Sequence, residues 1–184
     1  MLASGSGTNA ENIIRYFNSR REAQVSLLLS NREDAYALER AKRLNVPVGV
    51  FNRNDLYNNS SVLNLLQESS TDLIVLAGFL WLIPVNIIRA FSNRILNIHP
   101  ALLPAYGGKG MYGQRVHEAI IANREEKSGI TIHLVNEEYD SGDILFQAEC
   151  PVLKDDTPGS LAGRIHELEY EHLPKVIQEY LVKL

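Results

Sequence analysis

The sequence lacks the features that would assign it to several large protein classes. Cysteine occurs once, at Cys150, which excludes an internal disulfide and any cysteine-rich metal cluster and suits a reducing compartment. Long apolar runs are missing: the longest, Leu73 to Val85, has 13 residues and contains Gly78 and Pro84, well short of the ~20 that cross a bilayer. There is no basic excess, since 18 Lys and Arg face 22 Asp and Glu for a formal charge of −4. The electrostatic footprint of a duplex-binding module is therefore absent. No signal peptide, internal repeat or low-complexity segment is visible. These absences imply a cytoplasmic protein with neither a membrane nor bulk nucleic acid as partner.

What is present is ordinary globular material. The chain of 184 residues is 45% hydrophobic and 22% charged, enough apolar surface for a core, and its length predicts one domain over residues 1–184. Short β-branched or leucine-rich runs alternate with amphipathic stretches, the pattern of an α/β fold: an open, mostly parallel twisted sheet with helices on both faces, Rossmann-like. Strands are expected at Val25–Ser30, Val46–Val50, Leu73–Ala77, Arg94–His99, Gly129–Val135 and Ile144–Val152. Helices are expected at Asn9–Ser19, Asp34–Leu44 with Asp34 as N-cap, Asp55–Ser69, Pro84–Phe91 with proline at the first position, and Gln114–Asn123. The tail from Pro158 to Leu184 reads as helical, with Pro174 expected to divide or kink it. The glycine-rich stretch Tyr106 to Gly113 is the candidate mobile loop.

Gly5-Ser6-Gly7-Thr8-Asn9-Ala10 has the form of a strand-to-helix phosphate loop, yet only Met1 to Ser4 precede it where a whole strand belongs. The first, central strand is therefore expected to be largely missing. Glycines there let backbone N–H groups approach an anion at a helix start, where orphan donors and the helix dipole favour negative charge. A dinucleotide site needs an acidic residue after the second strand to hold the ribose, and Ser30-Asn31-Arg32 stands there instead. NAD is disfavoured, while Arg32 leaves open a contact with the 2′-phosphate of NADP. No Gly-Lys-Ser/Thr ending supports an ATP loop, and Gly107-Gly108-Lys109-Gly110 does not supply one.

Asn97-Ile98-His99-Pro100 closes a predicted strand whose alternation puts Asn97 and His99 on one face. An isolated Asn-x-His reads first as a polar strand cap. Here Pro100 and Pro104 restrict the backbone that follows, which helps to hold the imidazole in one direction. Asp140 lies in a turn between two strands, where aspartate is commonly a turn former. Beside His99 it would orient the imidazole, raise its pKa by opposite charge and relay a proton through water. His133, His166 and His172 read as structural, and His117, just after the glycine-rich loop, receives no role. Tyr170 occupies the place where a zinc-type His-Glu-x-x-His would need its second histidine, so no metal site is expected.

Three motifs in order, Ser4-Gly5-Ser6-Gly7-Thr8-Asn9, Leu96-Asn97-Ile98-His99-Pro100-Ala101-Leu102-Leu103-Pro104 and Tyr139-Asp140-Ser141-Gly142-Asp143-Ile144, carry a resemblance to the formyltransferases that use 10-formyltetrahydrofolate. The resemblance runs through nearly the whole chain. It implies a formyl donor co-substrate, 10-formyltetrahydrofolate, and a small-molecule acceptor, glycinamide ribonucleotide. It further implies a catalytic triad of Asn97, His99 and Asp140, substrate phosphate at Gly7, Thr8 and Asn9, its ribose at Glu169, and a pterin site bordered by Leu80, Trp81, Leu82 and Val135. Members of that family commonly have a full first strand, a shorter loop at Tyr106–Gly113 and an arginine where Trp81 stands.

Other readings stay open on the residues alone. A deformylase would direct the same triad at water, but such members resemble a longer chain with an added N-terminal domain. A formyltransferase acting on charged tRNA would need a further C-terminal domain. A reductase would follow if the glycine loop served NADP, and a non-catalytic binder if the short first strand abolished activity.

Overall fold

The apolar runs become seven strands of one sheet in a computed structural model that describes residues 1–20 and 22–184. In chain order they are β1 (Leu2–Ala3), β2 (Leu28–Ser30), β3 (Val48–Val50), β4 (Ile74–Leu76), β5 (Ile95–His99), β6 (Lys127–Leu134) and β7 (Ile144–Pro151). The order across the sheet is β3-β2-β1-β4-β5-β6-β7. β1 runs parallel to β2 and β4, and β2 parallel to β3, while β7 returns antiparallel to β6. The helices are α1 (Thr8–Asn18), α2 (Tyr36–Arg43), α3 (Arg53–Tyr57), α4 (Ser61–Glu68), α5 (Val85–Ala90), α6 (Gln114–Ala122) and α7 (Pro158–Leu181). The chain forms two compact units, Met1–Leu96 and Asn97–Leu184.

In the first unit, β2 and β4 are buried at every position, which is why their sequences run apolar instead of alternating. The central strand is reduced to Leu2 and Ala3, both wholly buried. It still pairs on both sides, because the Leu29 N–H donates to Met1 O and the Ala77 N–H to Leu2 O, each at 2.9 Å. Strand order reverses at β1, and in open parallel sheets ligands bind outside the carboxyl ends of the strands at such a point. The segments leaving β1 and β4 there are the glycine loop and Ala77–Leu82. Alanines at 10, 37 and 41 sit in one core cluster with Ile14, Leu28 and Leu38, and these small side chains let α1 and α2 pack closely.

In the second unit, β6 and β7 form a long hairpin. α7 opens with a capping box in which Thr157 Oγ1 accepts from the Ser160 N–H at 3.2 Å and Ser160 Oγ accepts from the Thr157 N–H at 2.9 Å. Pro158 stands in its first turn, and Leu161, Ile165, Leu173, Val176 and Ile177 form its buried stripe.

Several boundaries differ from expectation. Asp34 is not a cap: its carboxylate takes both arms of Arg32, at 3.0 and 2.7 Å, and the N-cap position is Ala35. The segment Asp55–Ser69 is two helices, because Asn52 and Asp55 form a capping box that starts α3 at Arg53, and Ser60 at φ 59° ends the run before α4. Asn58 and Asn59 at the break bond locally, to Asn54, Asp55 and the Ser61 N–H, and residues of this kind favour turns over helix interiors. Pro84 is the N-cap of α5, so the helix starts at Val85, one residue later than expected. Pro174 does not divide the last helix, which is assigned unbroken from Pro158 to Leu181. Burial of Pro174 with Leu173, Val176 and Ile177 offsets the ~3 kcal/mol that an interior proline costs.

Candidate active site

The second unit brings the three expected side chains together. Asn97 and His99 project from β5, and Asp140 lies between β6 and β7 with a left-handed φ of 53°. Asn97 Nδ2 donates to Asp140 Oδ1 at 3.3 Å, and His99 Nδ1 stands 3.5 Å from Asp140 Oδ2. His133, read from sequence as structural, joins them: its Nε2 is 3.1 Å from Asn97 Nδ2 and 3.7 Å from Asp140 Oδ1. The register of the hairpin shifts beside it, from Ile132 paired with Phe146 to His133 paired with Ile144. Such irregularities re-aim side chains at strand ends, and nothing in the local alternation signals one here.

Hydrogen-bond partners fix the protonation pattern. His99 Nε2 lies 2.8 Å from the Tyr106 carbonyl, which can only accept, so Nε2 carries the proton and Nδ1 is the basic nitrogen facing Asp140. His133 Nδ1 likewise donates to the Leu134 carbonyl at 2.7 Å, leaving Nε2 to accept from Asn97. Both amide hydrogens of Asn97 are thereby engaged, one by His133 and one, over the longer 3.3 Å contact, by Asp140.

The glycine-rich stretch is part of this site. The Gly108 N–H donates to Asp140 Oδ2 at 2.9 Å, and Tyr106 accepts from His99. At Gly107 a Cβ would meet Leu103 Cδ2 at 2.6 Å and Asp140 Cβ at 3.3 Å, so a larger residue there would displace the leucine methyl and crowd Asp140. The Tyr106 hydroxyl donates to Glu125 at 2.6 Å and accepts from Asn123 at 2.8 Å, which fastens the start of the loop. The segment after His99 is held mainly by buried polar contacts. Thr131 Oγ1 donates to Ala101 O at 2.6 Å and accepts from the Leu103 N–H at 3.0 Å, while Gln147 Nε2 donates to both Thr131 Oγ1 and Leu103 O.

Burial reverses one electrostatic expectation. His99 is buried, and desolvation lowers its pKa below the usual histidine value; the Asp140 charge and the Tyr106 carbonyl oppose this without overcoming it. His99 is thus not held cationic in this structure. For Asp140, burial acts to raise the pKa, but the neighbouring His133, the His99 imidazole and the Gly108 N–H together carry it below the usual carboxylate value, so it is ionised. His117 on α6 is buried with its Nδ1 unpartnered, and burial, with His166 and His99 adding, lowers its pKa to about 4. Among the described residues no group of three His, Cys, Asp or Glu side chains could hold a metal ion.

The first unit holds six of the eight other expected residues. Gly7, at φ 74°, is the N-cap of α1, and Thr8 and Asn9 are its first helical residues. Buried Ser4 links three strand ends, since its Oγ donates to Asn31 Oδ1 at 2.7 Å and accepts from the Leu80 N–H at 3.1 Å. Leu80 is exposed, and Trp81 and Leu82 are half-buried. The Trp81 ring stands among Phe51, Phe79 and Tyr57 with the Arg53 guanidinium 4.7 Å above it, and the Tyr57 hydroxyl donates to Leu82 O at 2.9 Å. The remaining two lie in the second unit: Glu169 is buried on α7 and Val135 is half-buried just past β6. Arg32, the residue that left NADP open, has its guanidinium fork occupied by Asp34.

A doubly wound sheet with an Asn, His and Asp cluster at the end of β5 defines a class, and comparison with known proteins names it. The formyl transferase family model matches residues 1–177, and the chain belongs to that family. It is 41% identical over 183 residues to the chloroplastic phosphoribosylglycinamide formyltransferase of Arabidopsis thaliana, an alignment covering 96% of this chain and 63% of that protein. With the phosphoribosylglycinamide formyltransferase of Haemophilus influenzae it shares 39% identity over 183 residues, covering 97% of this chain and 84% of the other. The chain thus spans less than two thirds of the plant relative's length. The crystal structure of phosphoribosylglycinamide formyltransferase from Anaplasma phagocytophilum superposes with a TM-score of 0.90 at 32% identity, covering 99% of this chain and 85% of that one.

Proposed function

We propose that residues 1–184 serve as one formyltransferase domain that moves the formyl group of 10-formyltetrahydrofolate to the amine of glycinamide ribonucleotide. The products are formylglycinamide ribonucleotide and tetrahydrofolate, a step of purine synthesis. The observation that carries this reading is the meeting of Asn97 and His99 with the carboxylate of Asp140, 43 residues beyond Asn97. The named relatives support it.

The neutral amine attacks the formyl carbon, a C–N bond forms, and the carbonyl oxygen takes negative charge. Asn97 turns the amide hydrogen of its long Asp140 contact toward that oxygen, and His99, protonated at Nδ1 during the reaction, adds a charged donor. Asp140, ionised beforehand, accepts the proton of the attacking amine through water and returns it to N10 of the folate as the bond from N10 to the formyl carbon breaks. The cation on His99 is that same proton in transit: Asp140 passes it across to Nδ1, 3.5 Å away, where it faces the oxyanion, and takes it back before N10 receives it, so that His99 ends neutral and Asp140 ionised. Gly7, Thr8 and Asn9 bind the substrate phosphate, Glu169 its ribose, and Leu80, Trp81, Leu82 and Val135 the pterin. A formyl-transfer assay with glycinamide ribonucleotide as acceptor and water as control tests the reading. Formylated nucleotide is expected, and release of formate alone would replace it with the deformylase.

A further inference from the structure

We propose that Arg40 on α2 is a positioning residue for the glycine loop, bracing it so that its amides face a phosphate, without being a phosphate ligand itself. This rests on the phosphate reading of Gly7, Thr8 and Asn9 given above.

Two donors on α2 hold consecutive carbonyls of the loop. The Ala37 N–H donates to Gly5 O at 3.1 Å, and Arg40 Nε donates to Ser6 O at 2.9 Å. In a trans peptide the C=O of one residue and the N–H of the next point in opposite directions. With both carbonyls turned toward α2, the N–H groups of Ser6 and Gly7 therefore point away from it, in line with the first amides of α1, which no intrahelical carbonyl can satisfy. Gly7 adds the steric half of the arrangement. Its φ of 74° is left-handed, and a Cβ there would stand 2.4 Å from Ala37 Cα and Cβ, so the loop lies directly on α2.

The charge of Arg40 is already engaged. Nη1 is bonded to Glu11 Oε2 on α1, whose other oxygen is held by Arg15 at 2.7 Å, and the guanidinium lies 4.8 Å from the Tyr36 ring centroid. The planar fork meets a carbonyl with one nitrogen and a carboxylate with another, a geometry that lysine cannot reproduce. Arg40 and Glu11 thereby tie α2, the loop and the first turn of α1 into one frame.

The test measures ribose 5-phosphate binding by calorimetry, alongside kinetics, in Arg40→Gln, Arg40→Lys and Glu11→Gln. Both Arg40 variants are expected to bind ribose 5-phosphate about tenfold more weakly and to raise KM for glycinamide ribonucleotide by the same factor. KM for the formyl donor and kcat should stay within twofold. Glu11→Gln should weaken phosphate binding by a smaller factor, because the Ser6 contact survives. Arg40→Lys keeps the aliphatic stem and the charge, which guards against loss of fold. Full rescue by lysine would show that charge alone acts and overturn the brace, as would unchanged affinity in Arg40→Gln. Failure of the unsubstituted protein to bind ribose 5-phosphate would instead overturn the phosphate reading, and this inference with it.

Discussion

The carbonyl of Tyr106 fixes the tautomer of His99: by accepting from Nε2 at 2.8 Å, it leaves Nδ1 as the only basic nitrogen and turns it toward Asp140, 3.5 Å away. The loop that carries Tyr106 therefore sets which nitrogen of His99 faces the carboxylate. Replacing Asp140 removes the carboxylate that this arrangement serves. Asp140→Asn is expected to lower kcat by ~100-fold or more, while binding of a folate, followed by quenching of Trp81 fluorescence, survives. A variant that turns over at the original rate would rule out the proton role.

Asn97 makes two contacts and is expected to serve a third group during the reaction. Asn97→Ala should lower kcat by ~100- to 1000-fold, the usual effect of losing one oxyanion donor, with KM for either substrate changed far less. Steady-state kinetics with each substrate varied in turn separates the two. A rise in KM at constant kcat would make Asn97 a binding residue only.

Thr131 and Gln147 are a cross-strand pair whose contacts hold the segment after His99. Thr131→Val keeps shape and volume but removes the hydroxyl, leaving Ala101 O and the Leu103 N–H without their partner. Urea unfolding should show a loss of ~1–3 kcal/mol, with kcat falling as His99 loses its anchorage. Stability equal to that of the unsubstituted protein would show that the prolines alone suffice.

His117 gives the chain an acid liability. Its folded pKa of about 4 lies below the 6.5 of an exposed histidine, so in that interval the unfolded chain binds the extra proton and stability rises with pH. The contribution is fully present above pH 6.5 and is lost as pH falls toward 4, amounting to ~3 kcal/mol across the window at about 1.4 kcal/mol per unit. His117→Leu should flatten denaturation midpoints measured between pH 7 and pH 4.5. An unaltered pH dependence would mean that other groups dominate acid unfolding.

Much of the architecture was legible because it is written in local periodicity. The runs that became β2 and β4 are largely apolar because strands buried on both faces leave no room for alternation, and α1 and α6 show a regular apolar stripe. The helix boundaries that moved did so where a local side-chain bond competed with the helix: Asp34 chose Arg32, and Asn52 with Asp55 opened a separate helix. Asn97 and His99 could be paired from strand alternation. His133 could not, since the same alternation read it as an ordinary strand residue until the register shift beside Ile132 was known.

The order of its residues alone determined this protein's strands, its glycine loop, and the identities of the groups able to hold and move a proton, because each depends on neighbours a few positions apart. Tertiary structure alone decided which atoms those groups present to one another. Asn97 meets partners 36 and 43 residues away, and His99 loses the cationic state that its pairing with Asp140 suggested. The physical reason is that burial and partner geometry are set only when the chain closes: the same carboxylate that raises an imidazole's pKa in water is outweighed once both are taken out of it.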